Sequence, residues 1–343
     1  MKEGTCVNHV AGIGTDIAFL VRQYQGFAHQ YAAGSSPNYV EIAERLAQDE
    51  QVLGLLSSLP AGNRRQPSLL LGAVRFLGGP VDSWERFRPW LVEHWERVRE
   101  VVMRRRTQTN EVRRCASLLP LLAQLPGPLA LIEVGASAGL CLYPDRYRYS
   151  FDGADPIGPK DSPVLLECAT SGPVPVPERV PQVVWRAGVD LNPLDVTDAE
   201  DVRWLESLIW PGGNEAARRE RLRAAARLVA ADPPHLVSGD LVRVLPGLVA
   251  QAPKEATLVV FHSAVPAYLD PVSRGEFVRV VRGLPGHWVS NEGWRVFADQ
   301  ENARPETPTH FTLGLDGRVV GHAGEHGQSV TWLAGNALGS PVG

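Results

Sequence analysis

The residues whose types and spacing could do chemistry are concentrated in one stretch, residues 129–142, which reads LALIEVGASAGLCL. Its first six residues are apolar except Glu133, and this pattern predicts a short buried strand. The small residues 135–139 then predict a tight turn, and the apolar residues after them can begin a helix. A strand, a glycine turn and a helix form a mononucleotide-type site, because glycine lets the backbone approach a ligand and a helix N-terminus presents unpaired N–H groups.

Two incompatible interpretations fit this stretch. Written as E-x-G-x-S-x-G, it resembles the first motif of Rossmann-like S-adenosylmethionine methyltransferases, with Ser137 replacing the middle glycine. Written as G-x-S-x-G, it resembles the nucleophile elbow of α/β-hydrolases, with Ser137 as the nucleophile. A hydrolase also needs a later acid and histidine, and Asp240 with His322 or His326 meets that need in chain order only. Chain order favours the first interpretation, because a hydrolase places several strands before its elbow and only helices are predicted upstream here.

Polar residues also follow the later predicted strands. Asp190 follows the strand that begins at Val183, and Asp240 follows a short strand at residues 236–237. The strands that begin at Thr257 and His287 end in four further polar residues, which are His262, Ser263, Asn291 and Glu292. Open α/β sheets bind ligands outside the carboxyl ends of their strands. We therefore expect these side chains to share one site at that edge.

The elements that must position these residues change character along the chain. Residues 16–125 predict helices, with Asp16 capping the first, Ser36 and Pro37 beginning the next, and Pro67 opening another. From residue 126, strands alternate with helices, and residues 311–313 and 330–333 predict a terminal antiparallel pair. We predict an N-terminal helical cap region (1–125) and an α/β domain (126–343) with an inserted hairpin or lid at about 144–181.

Composition excludes several classes of function. The chain has 343 residues and a formal net charge of −4, so it lacks the basic character of a nucleic-acid-binding protein. Its four cysteines are widely spaced, and the sequence shows neither a signal peptide nor an apolar run long enough to span a membrane, so we expect a cytoplasmic protein. His322 and His326 have a spacing that suits a metal, but no third ligand accompanies them, so no metal is expected.

Several longer segments resemble a bacterial, largely actinobacterial family known as domain of unknown function 2332. They are NRRQPSLLLGAVRFL, GASAGLCLYPDRYRY, WRAGVDLNPLDV, LVSGDLVRVLPGL, VVFHSAVPAYL and WVSNEG, so the resemblance covers nearly the whole chain. It carries no activity with it, and its link to methyltransferases is a similarity of fold. Together with the first motif it implies a Rossmann-like three-layer α/β sandwich of class I methyltransferase type, with a mostly parallel seven-stranded sheet that has a terminal antiparallel strand.

The methyltransferase resemblance implies a role for each polar group. Glu133, Gly135, Ser137 and Gly139 would lie beside the methionine part of the cofactor. Asp190 would bind the ribose and Asp240 the adenine, although Asp190 follows the glycine turn at more than the usual interval and both residues also fit turn or cap roles. His262, Ser263 and Glu292 would lie at the reacting centre, where a histidine could take a proton, or could instead support the loop.

The expected function is S-adenosylmethionine-dependent transfer to a small-molecule acceptor. Weak substrate candidates, for which surface or capping roles are the alternative, are Arg64, Asn110, Arg146, Tyr147, Tyr268 and Asn291. Two other hypotheses stay open. The first is a Ser137-dependent hydrolase, and the second is a non-catalytic nucleotide-binding or complex-forming protein, or a transferase adapted to another adenine nucleotide. We expect neither nucleic acid nor membrane as a partner, and leave open a partner protein or a homo-oligomer.

Overall fold

Helices and strands separate into two units along the chain. The computed structural model describes residues 6–108, 111–297, 304–307 and 309–333, with side chains described from residue 16 onward. One unit, the helical unit, comprises Met1–Thr109 and Ala199–Glu220, and the other, the sheet unit, comprises Asn110–Asp198 and Arg221–Gly343. No helix among the described residues is both long enough and apolar enough to cross a membrane.

The helical unit contains the helices predicted for the first part of the chain. Ser36 and Pro37 begin one helix and Pro67 begins another, as the sequence predicts. Asp16 does not begin a helix: it lies inside the first one, which starts at Cys6, and its carboxylate pairs with Arg65. The helices of this unit are α1 (Cys6–Gly26), α2 (Pro37–Leu46), α3 (Glu50–Ser57), α4 (Pro67–Phe76), α5 (Trp84–Glu93), α6 (Trp95–Arg104), α8 (Ala199–Ser207) and the start of α9 (Glu215–Ala230).

The sheet unit is a mixed α/β structure around a large, mostly parallel sheet. Its described residues form ten strands, so the expectation of seven is wrong. The strands are β1 (Leu129–Val134), β2 (Arg148–Phe151), β3 (Leu165–Ser171), β4 (Val183–Asp190), β5 (His235–Ser238), β6 (Thr257–Ser263), β7 (His287–Gly293), β8 (Phe311–Leu315), β9 (Arg318–Ala323) and β10 (Ser329–Trp332). The helices that lie wholly in this unit are α7 (Arg114–Leu122), α10 (Leu241–Val249) and α11 (Pro271–Arg282).

The order of the strands places β1 at a point where the direction of the chain reverses across the sheet. The order is β2-β3-β10-β9-β8-β7-β6-β1-β4-β5. After β2 and β3, which lie at the far edge of the sheet beyond β10, the chain forms β4 and β5 on one side of β1 and then returns to form β6 and β7 on the other side. All five of these strands are parallel. Such a reversal leaves a crevice at the carboxyl ends of the central strands, which is where sheets of this type bind ligands.

The additional strands account for the difference from the expected sheet. β2 and β3 pair in parallel and β3 continues to β10, so two strands of the segment predicted as an inserted hairpin or lid at about 144–181 extend the sheet. The predicted terminal pair is also interrupted, because β9 lies between β8 and β10. Asp316 and Gly317 both have positive φ and close a two-residue turn, which returns the chain at once into β9.

The two faces of β1 contact different parts of the sheet unit. Ile132 and Val134 belong to an apolar cluster with Leu245 of α10 and Phe277 of α11. Glu133 lies between them in sequence and therefore points to the opposite face. α7 is buried over all nine of its residues, as expected for a helix within a core. A carboxyl group thus points away from the apolar cluster into a second buried region.

Candidate functional site

The structure brings most of the predicted site residues to one edge of the sheet. Glu133 and the glycine turn lie at the end of β1, and Asp190 ends β4. Asp240 follows β5, while the ends of β6 and β7 carry the remaining polar residues of the predicted site, which are His262, Ser263, Asn291 and Glu292. Since these strands are parallel, their carboxyl ends form one edge. The chemistry available there depends on what each side chain already binds.

Glu133 is buried and incompletely hydrogen-bonded. Only 5% of the residue is exposed, and its Oε2 has no hydrogen-bond partner among the described residues. Burial raises the pKa of Glu133 well above its ordinary value; Cys141 and Asp190 raise it further, and the nearby Arg114 guanidinium lowers it. A carboxyl group in such a place is stable in its neutral form, in which it can donate a hydrogen bond.

The glycine turn binds β4 through its backbone and does not lead into a helix. The amides of Gly135 and Ala136 both donate to Val189 O, at 2.8 and 3.2 Å, and the amide of Ser137 donates to Asp190 Oδ2 at 2.9 Å. The predicted helix is instead a single 3-10 turn (Leu140–Leu142), and Pro144 follows closely and cannot continue a helix. The amides of Gly135, Ala136 and Ser137 are therefore already paired within the chain.

Asp190 fixes the conformation of this turn. Besides accepting from Ser137, its carboxylate accepts from the amide of Asn192 at 2.8 Å, which is the turn-forming role suggested by Asp-Leu-Asn-Pro. Ser137 itself has a φ of 52°, which is uncommon for a residue with a side chain. Its hydroxyl is buried without a hydrogen-bond partner among the described residues. No triad involving this hydroxyl is therefore formed in the described part of the chain.

The small residues of the turn make room for protein side chains. A β-carbon at Gly135 would lie 2.3 Å from Val265 Cγ2, and one at Gly139 would lie 2.8 Å from Pro234 Cγ. Val265 belongs to the loop after β6, where Ala264 has a φ of 60°. In this conformation Val265 therefore occupies the space next to Gly135 that a ligand would need.

Asp240 acts as the N-cap of α10. Its Oδ1 accepts from the amides of Val242 and Arg243 at 3.0 and 3.2 Å. These bonds satisfy two amides that a helix leaves unpaired at its start. The capping role that the sequence left open is thus observed, and an adenine-binding role for Asp240 is not tested by it.

His262 is fully buried and both of its ring nitrogens are engaged. Nδ1 lies 2.7 Å from Glu292 Oε1, and Trp288 Nε1 donates to Nε2 at 2.9 Å. Because an indole nitrogen can only donate, Nε2 is the acceptor and the proton must be on Nδ1. His262 is therefore a neutral imidazole, held by Trp288 and Glu292, without a nitrogen that could take a proton from a substrate.

Asn291 and Glu292 keep one unpaired atom each. Asn291 Nδ2 donates to Ser263 Oγ at 3.0 Å, while its Oδ1 has no described partner. Glu292 Oε1 accepts from the amide of Val265 at 3.0 Å as well as from His262, and its Oε2 has no described partner. Both residues are fully buried. Glu292 thus connects the end of β6 to the loop that covers Gly135.

The weak substrate candidates that the structure describes have different surroundings. In the helical unit, Arg64 donates to the carbonyls of Val102 and Arg105 near the end of α6, and burial and then Arg106 lower its pKa. In the sheet unit, Arg146 is exposed beside two aspartates, and the buried Tyr147 donates to Leu140 O, with its pKa raised by burial. Tyr268 is 66% exposed. Asn110 lies outside the described residues.

Several buried polar residues near this edge are not signalled by the sequence. Arg114 donates to the carbonyls of Ser263 and Glu325, at 3.1 and 3.0 Å, and lies over the ring of Phe311. Thr312 and His322 lie fully or largely buried on β8 and β9. Threonine in a strand and arginine at the start of a helix are too common to signal a site, and the sequence suggests His322 only for a triad or a metal. No group of three potential metal ligands occurs in the part of the chain that the structure describes.

Comparison with known proteins identifies a family, but the description of that family names no activity. A model of a bacterial family, described as an uncharacterized protein conserved in bacteria (DUF2332), matches residues 21–332. No curated protein matches the chain.

Proposed function

The chain belongs to this uncharacterized bacterial family, and from the site itself we propose that it is a small-molecule transferase that binds an adenosyl-type cofactor, in the simplest case S-adenosylmethionine. The proposed site is the carboxyl edge of β1, β4 and β6, in a Rossmann-like sheet of methyltransferase type. The observation that carries the proposal is a pair of buried, unpaired polar atoms at the end of β1. They are Glu133 Oε2 and Ser137 Oγ, beside the point where the strand order reverses.

These unpaired atoms fit a polar ligand. A buried polar atom without a partner costs about 1–3 kcal/mol, so its retention favours a partner that binds from outside the chain. A neutral Glu133 can donate and Ser137 can both donate and accept, which suits the amino and carboxyl groups of an amino acid. Asp190 would act by holding the turn in place, since its carboxylate accepts from the amides of Ser137 and Asn192.

The loop after β6 would have to move for a ligand to reach Gly135. Val265 fills that space, and its amide is held by Glu292. S-adenosylmethionine supplies an electrophilic methyl group when bound, and the chain would contribute mainly by orienting the acceptor. His262 would serve this role indirectly, because its neutral ring positions Glu292 and has no lone pair to spare.

Calorimetric titration with S-adenosylmethionine and S-adenosylhomocysteine tests the proposal. We expect binding to the wild type, weakened about tenfold in Ser137→Ala, the equivalent of one lost hydrogen bond. Val272 is exposed on α11, so Val272→Ala is the control and should bind as the wild type does. The proposal would be contradicted if neither the wild type nor Val265→Ala, which removes the side chain beside Gly135, bound either compound.

A Ser137-dependent hydrolase is a second candidate, favoured by one observation. The left-handed φ of Ser137 in a sharp turn after a strand is the kind of backbone that a nucleophile elbow uses. Its hydroxyl has no activating partner among the described residues. Labelling by a serine-reactive fluorophosphonate, lost in Ser137→Ala, would support hydrolysis. Failure of the wild type to react with that probe would count against it.

A further inference from the structure

Three buried polar side chains lie side by side across β7, β8 and β9. Glu292 is directly opposite Thr312, and Thr312 is directly opposite His322. Residues directly opposite one another in antiparallel strands share a face of the sheet, so the three side chains form a row with the short Thr312 in the middle. Glu292 and Thr312 are 0% exposed and His322 is 8% exposed.

Every member of this row has a polar atom without a hydrogen-bond partner. These atoms are Glu292 Oε2, Thr312 Oγ1 and His322 Nδ1, and none of them has a partner among the described residues. Buried polar atoms are nearly always paired, so three adjacent exceptions need an explanation. The natural explanation is a bound group that contacts all three.

The partners of Glu292 indicate what kind of group this is. Its only ion-pair partner in the described structure is His262. The hydrogen bond from Trp288 Nε1 to Nε2 makes that histidine neutral, so it brings no positive charge to Glu292. The remaining bond to Glu292 comes from the uncharged amide of Val265. None of these described donors to Glu292 is positively charged, and its Oε2 still lacks a donor, so a charged donor fits at that atom.

We propose that Glu292, Thr312 and His322 form a binding site for a protonated primary amine. An alkylammonium group has three N–H donors and no acceptor, and the row offers three unpaired atoms that can accept. Burial and the neighbouring His310 lower the pKa of His322, whereas Glu306 raises it. The ring is therefore neutral near pH 7, so one of its nitrogens can accept. A water molecule has only two O–H donors, so it would leave one of the three atoms without a partner.

This inference does not rest on the proposed function. It concerns the carboxylate of Glu292 and the row on β7 to β9, whereas the proposed cofactor site concerns Glu133 and Ser137 on the glycine turn. Val265 is the link between them, since its amide binds Glu292 and its side chain covers Gly135. The amine site therefore survives if no adenosyl ligand binds, and adenosyl binding survives if no amine does.

Thermal unfolding in matched chloride salts tests the site. Methylammonium has three N–H donors and tetramethylammonium has none, so the second salt controls for charge and for general salt effects. We expect methylammonium to raise the Tm of the wild type by about 2 °C over sodium or tetramethylammonium at equal ionic strength. The gain should be smaller in Thr312→Val, which keeps the shape but removes one acceptor, and absent in Glu292→Gln.

Equal Tm values in the three salts would overturn the proposal, as would an undiminished gain in Thr312→Val. If Glu292→Gln does not fold, Thr312→Val still decides the outcome because it leaves the carboxylate in place. A crystal structure grown in methylammonium chloride distinguishes a bound amine from a bound water molecule. Density for the carbon–nitrogen pair between Glu292 and Thr312 would support the amine, and an ordered water only at that position would contradict it.

Discussion

Val265 lies against Gly135 so closely that a β-carbon on the glycine would be 2.3 Å from Val265 Cγ2. The first glycine of the nucleotide-like motif is therefore required by the protein's own packing. Its φ of 71° adds a second requirement, since residues with side chains rarely adopt that backbone. Gly135 can thus have two uses: it lets Val265 close the site, and it would leave room for a ligand when the loop opens.

Gly135→Ala should destabilise the sheet unit through two effects, the strain of a positive φ and the clash of the new β-carbon with Val265. Gly153 is a matched control, because its φ of 77° is similar and a β-carbon there would meet nothing within 4 Å. We expect Gly153→Ala to lower the free energy of unfolding by about 1 kcal/mol and Gly135→Ala by about 1–3 kcal/mol more. Urea unfolding measures both. Adding Val265→Ala to Gly135→Ala should recover part of the loss, and equal losses in the two single variants would show that Val265 is not in contact.

Asp240→Ala should lower stability without needing any ligand. Its carboxylate caps α10 through the amides of Val242 and Arg243, and loss of such a cap costs about 1 kcal/mol. Asp240→Asn keeps an oxygen that can cap and should restore most of that stability. If Asp240→Asn is as unstable as Asp240→Ala by urea unfolding, the carboxylate's charge matters for something other than the cap.

Glu133 should make the protein less stable as the pH rises. Its carboxyl is neutral in the folded protein at pH values where the unfolded chain has already lost the proton, because burial raises its pKa from an ordinary value near 4.5. The folded state then binds more protons than the unfolded state, so stability falls as the pH rises from that value toward the folded pKa. Glu133→Gln, which cannot ionise, should lack this decline.

Urea unfolding at several pH values from mildly acidic to neutral measures the difference between Glu133→Gln and the wild type. The variant's advantage should widen with pH over this range. Glu167, on β3, is a suitable control, because Glu167→Gln changes an exposed carboxyl and should leave the pH dependence unchanged. An advantage that narrows with rising pH would mean that the folded protein stabilises the ionised form of Glu133.

The sequence predicted the parts of the fold that depend on local pattern. The apolar run of β1, the turn after it and the polar ends of β4, β6 and β7 could be located because buried parallel strands are continuous apolar segments. These polar residues were expected to meet because the carboxyl ends of parallel strands lie at one edge of the sheet. β3 was less visible, because only alternate residues of LLECATS are buried, and β9 contains Gly321 and His322, which weaken a strand pattern.

What the sequence could not provide was the set of partners that each polar group has in space. His262 is held by Trp288 and Glu292, which are 26 and 30 residues away along the chain, and nothing local signals either bond. The pairing of Glu292 with Thr312 and His322 depends on the register of β7, β8 and β9. The absence of a helix after Gly139, by contrast, could have been predicted from the sequence, because Pro144 cannot continue a helix.

The most direct test of the account compares wild type and Val265→Ala by calorimetric titration with S-adenosylhomocysteine. Removing the side chain that fills the space beside Gly135 should tighten binding by about tenfold, because less apolar contact must be broken when the loop opens. Val272→Ala, which is exposed on the following helix, should leave the affinity unchanged. Tighter binding in Val265→Ala alone is the predicted result. Failure of both proteins to bind would contradict the proposed cofactor, and equal binding would place the ligand away from Gly135.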